Sequence, residues 1–184
     1  MSQFRGFIAV DIDVFPKLLE FEKEIKETGA NVKVVEPENI HITLKFLGDT
    51  SESQIGEIDK IMKDAVKGIE PFNIQLKGAG VFPNQNYIKV IWIGIKQGEP
   101  IGLILRKIDE QLSKIGFKKE KRGFSPHLTI ARVKSAKEKD GILHVIEKYR
   151  DVHFVDVRVN SINLKKSDLT PKGPIYTTLT DIKL

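Results

Sequence analysis

The chain contains no cysteine, which excludes disulfides, thiolate nucleophiles and cysteine-based zinc sites together. Long hydrophobic runs are also missing. The longest apolar stretches, such as Val90 to Ile93, fall far short of the roughly 20 residues that cross a bilayer. The first ten residues hold only Phe7 to Val10 as an apolar run, so we expect no signal peptide and a cytosolic protein. There is no low-complexity tract and no linker-like stretch. What is present, 184 residues with 40% hydrophobic and 30% charged side chains, suits one integrated domain over residues 1–184 with a proper core. Arginine is scarce: six of the 30 basic residues, the rest being lysine. Individual arginines therefore stand out as candidates for oriented phosphate contacts. The formal charge of +5 and a pI near 9.2 lean toward a polyanionic partner, although charge alone reads as solubility.

Four segments carry helical periodicity. Pro16 to Thr28 puts Leu18, Phe21 and Ile25 on one stripe and stops at Gly29. Ser53 to Ile69 spaces Ile55, Ile58, Met62 and Ala65 three and four apart, with Ser51 to Ser53 and Glu57 as opening signals. Pro100 to Ile115 and Ala136 to Tyr149 follow the same rule, the third stopping at Gly116. Strand-like pieces lie between them: Phe4–Ile12, Val32–Val35, Ile40–Leu47, Phe72–Lys77, Tyr87–Ile95, Phe117–Glu120, His127–Val133, Val152–Leu164 and Ile175–Ile182. Several strands follow one another with short turns, which predicts an α+β fold with antiparallel pairing rather than a doubly wound sheet.

A small unit occurs twice. One copy reads helix, Gly29, strand, then His41-Ile42-Thr43-Leu44; the other reads helix, Gly116, strand, then His127-Leu128-Thr129-Ile130. The histidines lie 86 residues apart, and two copies suggest two lobes facing each other across a cleft. Side chains alternate along a strand, so His41 and Thr43 share one face while Ile42 and Leu44 take the other, and likewise in the second copy. Two facing imidazoles with a hydroxyl beside each suit in-line displacement at phosphorus. One takes a proton from the nucleophile, the other protonates the leaving oxygen, and hydroxyls hold the non-bridging oxygens.

These motifs resemble the signature of the two-histidine (2H) phosphoesterase superfamily. Their flanks are similar to those of the RNA 2′,3′-cyclic phosphodiesterases, also called the 2′-5′ RNA ligase (LigT/ThpR-like) family. The supporting residues run from Phe7 to Val10, Pro37 to Gly48, Gly80 to Pro83 and Arg122 to Arg132, and end with Ser167, Leu169, Pro171, Gly173 and Tyr176. The resemblance implies a bilobal α+β fold. In it, two pseudo-twofold lobes of antiparallel sheet carry helices on their outer faces around a central cleft. It implies hydrolysis of RNA 2′,3′-cyclic phosphate ends to 2′-phosphomonoesters, with possible reverse 2′-5′ ligation. His41 would be the proton donor, His127 the proton acceptor, and Thr43 and Thr129 their companions. No metal and no other cofactor is expected. The expected partner is RNA ending in a 2′,3′-cyclic phosphate, tRNA fragments among them, with no membrane and a monomeric protein.

Other candidates are less determined by spacing. Lys45 shares the face of His41 and Thr43, where it reaches a phosphate or serves as a solvated strand-end lysine. Parity puts Arg132 with Leu128 and Ile130 on the core side, whereas the resemblance favours the cleft; a bend in the strand would reconcile them. Arg122 precedes the second motif where the family commonly has a basic residue. The run Lys118, Lys119, Lys121 and Arg122 is a solvated hairpin or an RNA patch. Phe82 and Phe124 are candidates to stack a base, while Phe46 reads as core. Tyr176 matches the family's late tyrosine and counts with Arg122, Arg132, Lys45 and Phe124 as substrate-binding. His144 and His153 read as ordinary residues, and Asp11 with Asp13 make a poor cation site. A non-catalytic RNA-end or nucleotide-binding module is the alternative, though phosphate binding alone is better served by lysine or arginine than by paired histidines. A two-histidine metal site lacks further ligands and gives the threonines no part.

Overall fold

The computed structural model describes residues 2–120, 125–135 and 137–184. Each of the four periodic segments forms a helix: α1 (Pro16–Glu27), α2 (Ile55–Val66), α3 (Glu99–Lys114) and α4 (Lys139–Lys148). In α1 the stripe of Leu18, Phe21 and Ile25 is buried completely, each residue contributing about 1.5–3 kcal/mol by burial. The chain leaves this helix through Gly29 at φ +78°, a left-handed backbone that favours glycine. Ahead of α2, the Ser51 hydroxyl accepts from the Ser53 N–H while Gln54 Oε1 accepts from the Ser51 N–H at 3.0 Å. Gln54 thus closes a capping box with Ser51, and Glu57 lies in the first turn of α2 as an early acid. The start of α4 lies at Lys139; the expected start, Ala136, is outside the described residues.

The strands are β1 (Gln3–Asp11), β2 (Val32–Val34), β3 (His41–Ser51), β4 (Phe72–Asn84), β5 (Tyr87–Lys96), β6 (His127–Val133), β7 (His153–Val159), β8 (Ser161–Thr170) and β9 (Gly173–Lys183). They form one sheet in the order β7-β4-β5-β6-β3-β1-β8-β9, with β2 also on β6. All its pairings among the described residues are antiparallel, as expected for this α+β pattern. The two histidine-bearing strands, β3 and β6, are neighbours at the centre and pair through Ile42 and Leu128. Helix α2 packs on α3, and α1 on α4. No helix among the described residues is long and apolar enough to cross a membrane.

Two strand expectations fail for physical reasons. Phe117–Glu120 is not a strand. The Phe117 N–H turns back to the Leu112 carbonyl at 3.1 Å, and the Glu120 N–H is taken by the Asp109 carboxylate, so these donors never reach a ladder. Val152–Leu164 is not one strand but two, broken at Asn160. β7 edges the sheet beside β4, whereas β8 crosses to pair with β1. Both pieces are apolar and alternating, so periodicity alone could not separate them.

Candidate active site

Strands β3 and β6 share one burial pattern over their first seven residues. His, the following apolar residue and Thr alternate as expected; then two consecutive residues are buried, Leu44–Lys45 in β3 and Ile130–Ala131 in β6. The cause is a one-residue bulge in each. Ala9 pairs with Thr43 but Ile8 with Lys45, leaving Leu44 over. Trp92 pairs with Thr129 but Ile91 with Ala131, leaving Ile130 over. A bulge shifts side-chain parity by one beyond it. Phe46 and Arg132 are therefore delivered to the face of the histidines, and Lys45 and Ala131 to the core.

Ile42 and Leu128 are fully buried, so His41, Thr43, His127 and Thr129 project from the opposite face. The antiparallel pairing of Ile42 with Leu128 sets His41 on the same side of that pair as Thr129, and Thr43 on the same side as His127. The structure thus brings all four predicted residues together at the centre of the sheet.

Each imidazole is tethered in the same way. His41 Nδ1 lies 2.7 Å from the Asn39 carbonyl and His127 Nδ1 lies 2.8 Å from the Ser125 carbonyl. A carbonyl oxygen can only accept, so both Nδ1 atoms carry hydrogen. In the neutral ring, Nε2 is then the lone-pair atom free to take a proton, and in the charged ring it is the atom free to give one. The Thr43 hydroxyl stands 3.0 Å from His41 Nε2. Aromatic rings fix the imidazole planes: Phe7 at 5.1 Å and Tyr176 at 5.3 Å from His41, and Phe82 at 4.9 Å from His127. Phe82 also packs on Trp92, so it serves here as a buttress for the second histidine.

Tyr176 reaches the site because the β8–β9 hairpin is tied down. Asn39 Nδ2 donates to the Pro174 carbonyl at 3.1 Å, and Lys33 Nζ to the Lys172 carbonyl at 2.6 Å. Burial pushes the His41 imidazole below its ordinary value of 6.5; the Asn39 carbonyl opposes this, Lys165 lowers it further, Asp11 opposes, and Arg132 lowers it. Burial raises the Tyr176 phenol, and Arg132 pulls it back down. The bulge at Ile130 turns Arg132 to the face of the histidines, and its charge bears on both groups.

Sequence reasoning missed Lys165. Its side chain is almost fully covered and donates to both oxygens of Asp11, at 2.6 and 2.8 Å, while Asn163 Nδ2 donates to the same carboxylate at 2.9 Å. Asp11 lies directly across the ladder from His41, so both charges of this pair bear on that imidazole, in opposite senses. The available signal was a lysine next to the core-facing Leu164 in β8, on the same face as Phe7 and the histidines, legible only once the strand pairing is known.

Two expectations are corrected. Lys45 does not share the histidine face: its ammonium is buried against Asp109 and donates to the Lys118 carbonyl at 2.8 Å. The bulge at Leu44 turns it away from the phosphate position. Phe46 is not core; it is 75% exposed on the histidine face beside Phe7, for the same reason. Arg122 and Phe124, with Lys121, lie outside the described residues. His144 is exposed, and His153 is a surface residue paired with Asp156 at 3.0 Å. Among the described residues, no three His, Asp or Glu side chains gather as a metal-ligand group.

The LigT like Phosphoesterase family model matches the chain twice, over residues 8–92 and 93–176. A protein of Methanothermobacter thermautotrophicus named RNA 2′,3′-cyclic phosphodiesterase is 41% identical over 182 residues, covering 98% of each chain. One of the same name from Methanocaldococcus jannaschii is 44% identical over 179 residues, covering 96% of this chain and 99% of its own. The crystal structure of TT0787 of Thermus thermophilus superposes with a TM-score of 0.76 at 24% identity, over 98% of this chain and 97% of that one. That of Escherichia coli LigT complexed with 3′-AMP gives 0.73 at 21% identity, over 100% and 99%. These two likenesses speak for the fold, and the matches spanning nearly the whole sequence speak for kinship: the chain belongs to the LigT-like phosphoesterase family.

Proposed function

We propose that this protein hydrolyses RNA 2′,3′-cyclic phosphate ends to 2′-phosphomonoesters by paired-histidine acid–base catalysis. The observation that carries the reading is the twin tethering of His41 and His127, each with Nδ1–H on the carbonyl two residues earlier and Nε2 left for proton transfer. His127 Nε2 takes a proton from water as the water oxygen bonds to phosphorus. His41 Nε2–H gives its proton to the 3′-oxygen as that P–O bond breaks, leaving a 2′-phosphate and a 3′-hydroxyl. Thr43, Thr129, Arg132 and Tyr176 hold the non-bridging oxygens, where charge builds up. Arg122 and Phe124, which the resemblance puts at the substrate, belong to the same proposal; Lys45 does not. With a 5′-hydroxyl RNA in place of water, the same steps form a 2′-5′ linkage.

The proposal includes a single monomeric, cytoplasmic domain of two pseudo-twofold lobes around a cleft. The strand order supports the two lobes: counting outward from the central β3–β6 contact, β3-β1-β8-β9 answers to β6-β5-β4-β7, with a one-residue bulge after the threonine in both β3 and β6. The back-to-back family matches support the two lobes as well.

The test is to incubate the protein, in excess EDTA, with an RNA ending in a 2′,3′-cyclic phosphate, with and without a 5′-hydroxyl RNA, and to map the product ends. A 2′-phosphate product is expected. Binding without turnover would replace the reading by the non-catalytic RNA-end module, and activity recovered only with a particular metal would overturn the mechanism.

Thr43→Val and Thr129→Val are each expected to lower kcat roughly 10- to 100-fold, the range for one hydrogen bond to a charged group. Steady-state rates check this. A valine variant that retains its thermal melt yet loses as much as a histidine variant would assign the hydroxyl a more direct part.

The free-enzyme pH profile has a definite sign. Catalysis needs one neutral and one protonated imidazole, so kcat/KM peaks between two apparent pKa values that belong to the pair. Because His41 lies below 6.5 in the free protein, the acid limb of kcat/KM is expected below that value. Lys165→Met removes a nearby cation and leaves Asp11 unneutralised. Both changes favour the imidazolium, so the acid limb should move upward; a downward or absent shift would contradict the assignment.

A further inference from the structure

A cavity of about 500 Å³ lies between the tip of the β4–β5 hairpin and the chain that leaves β6 for α4. Among the described residues its walls carry Lys89, Arg132, Lys134 and Lys139 and no carboxylate. Among the described residues none of the four cations is in an ion pair, so their charge is not cancelled locally. Tyr87 stands at the same wall, 56% exposed, with Lys89 Nζ 5.0 Å from its ring centroid. A second cavity, about 360 Å³ beside the ends of β1 and β7, has Asp11, Asp13 and Asp156 in its walls beside Arg158. Its charge has the wrong sign for a polyanion.

Arg132 links the basic groove to the candidate centre. It lines the groove, and the bulge at Ile130 turns it to the face of the histidines, where its charge bears on His41 and Tyr176. A phosphate held between the histidines and a chain lying in the groove would therefore be contiguous. Unpaired cations with an exposed aromatic face are the chemistry that holds single-stranded nucleic acid without reading its sequence. We infer that this groove binds the single-stranded RNA immediately 5′ of the cyclic phosphate, Lys89, Lys134 and Lys139 contacting its phosphodiesters and Tyr87 stacking one base. The enzyme then prefers an oligonucleotide end to a free cyclic mononucleotide. This rests on the proposed phosphodiesterase reading and gives that reading its substrate class.

The experiment compares the wild-type protein with the Lys89→Ala/Lys134→Ala/Lys139→Ala variant on two substrates. One is a hexanucleotide ending in a 2′,3′-cyclic phosphate, and the other is a mononucleoside 2′,3′-cyclic phosphate. Wild type should favour the hexanucleotide in kcat/KM, and the triple variant should lose at least about tenfold of that ratio, through KM. Fluorescence anisotropy with a labelled hexanucleotide ending in a 2′-phosphate gives a readout independent of turnover. Its log K against log salt should be shallower by about 2 in the variant, three contacts at about 0.7 each. Tyr87→Ala should weaken this binding, and Tyr87→Phe, which keeps the stacking face, should restore it. An unchanged substrate ratio with an unchanged salt slope would overturn the groove. Turnover of neither substrate by the wild type would instead overturn the phosphodiesterase reading, and the salt slope would then decide the groove alone.

Discussion

Replacing His41 or His127 is expected to lower kcat by about 10²–10⁴, the usual cost of losing a positioned general acid or base. Asparagine is the informative substitute. Its side-chain amide can still donate to the Asn39 or Ser125 carbonyl, as Nδ1 does now, but it has no atom that titrates in place of Nε2. The loss would then report proton transfer rather than a slackened strand. Alanine at position 41 also removes a ring packed against Phe7 and Tyr176, so thermal melts of both variants belong with the kinetics. The double variant should lose far less than the product of the single losses, because each imidazole is useful only while the other works. Near-normal turnover of either asparagine variant, on a cyclic-phosphate RNA in EDTA, would falsify the paired-histidine mechanism.

The duplicated unit was legible from spacing alone because both copies put a polar pair and an apolar pair in strict alternation. That alternation survives in the structure as far as the threonines. Beyond them parity reasoning breaks down, and it does so at the same place in both halves. Leu44 and Ile130 each take up a bulge, a backbone event with no composition signal, since Leu and Ile are equally at home in a regular strand. The bulge at Leu44 reverses Lys45 and Phe46, and the one at Ile130 reverses Arg132. The buried pairing of Lys45 with Asp109 shows what the reversal accomplishes in the first half: it joins β3 to α3 beneath the site. In the second half the equivalent position is Ala131, fully buried, where no charge needs a partner. The division of Val152–Leu164 at Asn160 was illegible for a different reason. Both halves are half-buried strands, and only the sheet order reveals that they serve opposite ends.

The division of labour between the histidines should appear when the leaving group no longer needs a proton. The two halves are not equivalent in their surroundings. Asp11 pairs across the ladder with His41, whereas Gly94 occupies that position opposite His127. A carboxylate there favours the imidazolium and so suits His41 to the donor role. Burial, Lys165 and Arg132 oppose it, and in the free protein they prevail. A bound phosphate anion adds negative charge beside His41 and shifts the balance back toward the protonated ring. The acid limb of kcat, which reports the complex, should therefore lie above that of kcat/KM. A phosphodiester with a good leaving group, such as a nitrophenolate, departs as an anion without help. His41→Asn should then recover most of its lost activity, within about tenfold of wild type, while His127→Asn should stay about 10²-fold or more impaired, because water still needs a base. Equal recovery of the two variants, or recovery of His127→Asn alone, would sink the assignment. A 3′-phosphate product from the natural cyclic end would mean that the substrate lies across the two histidines in the opposite sense.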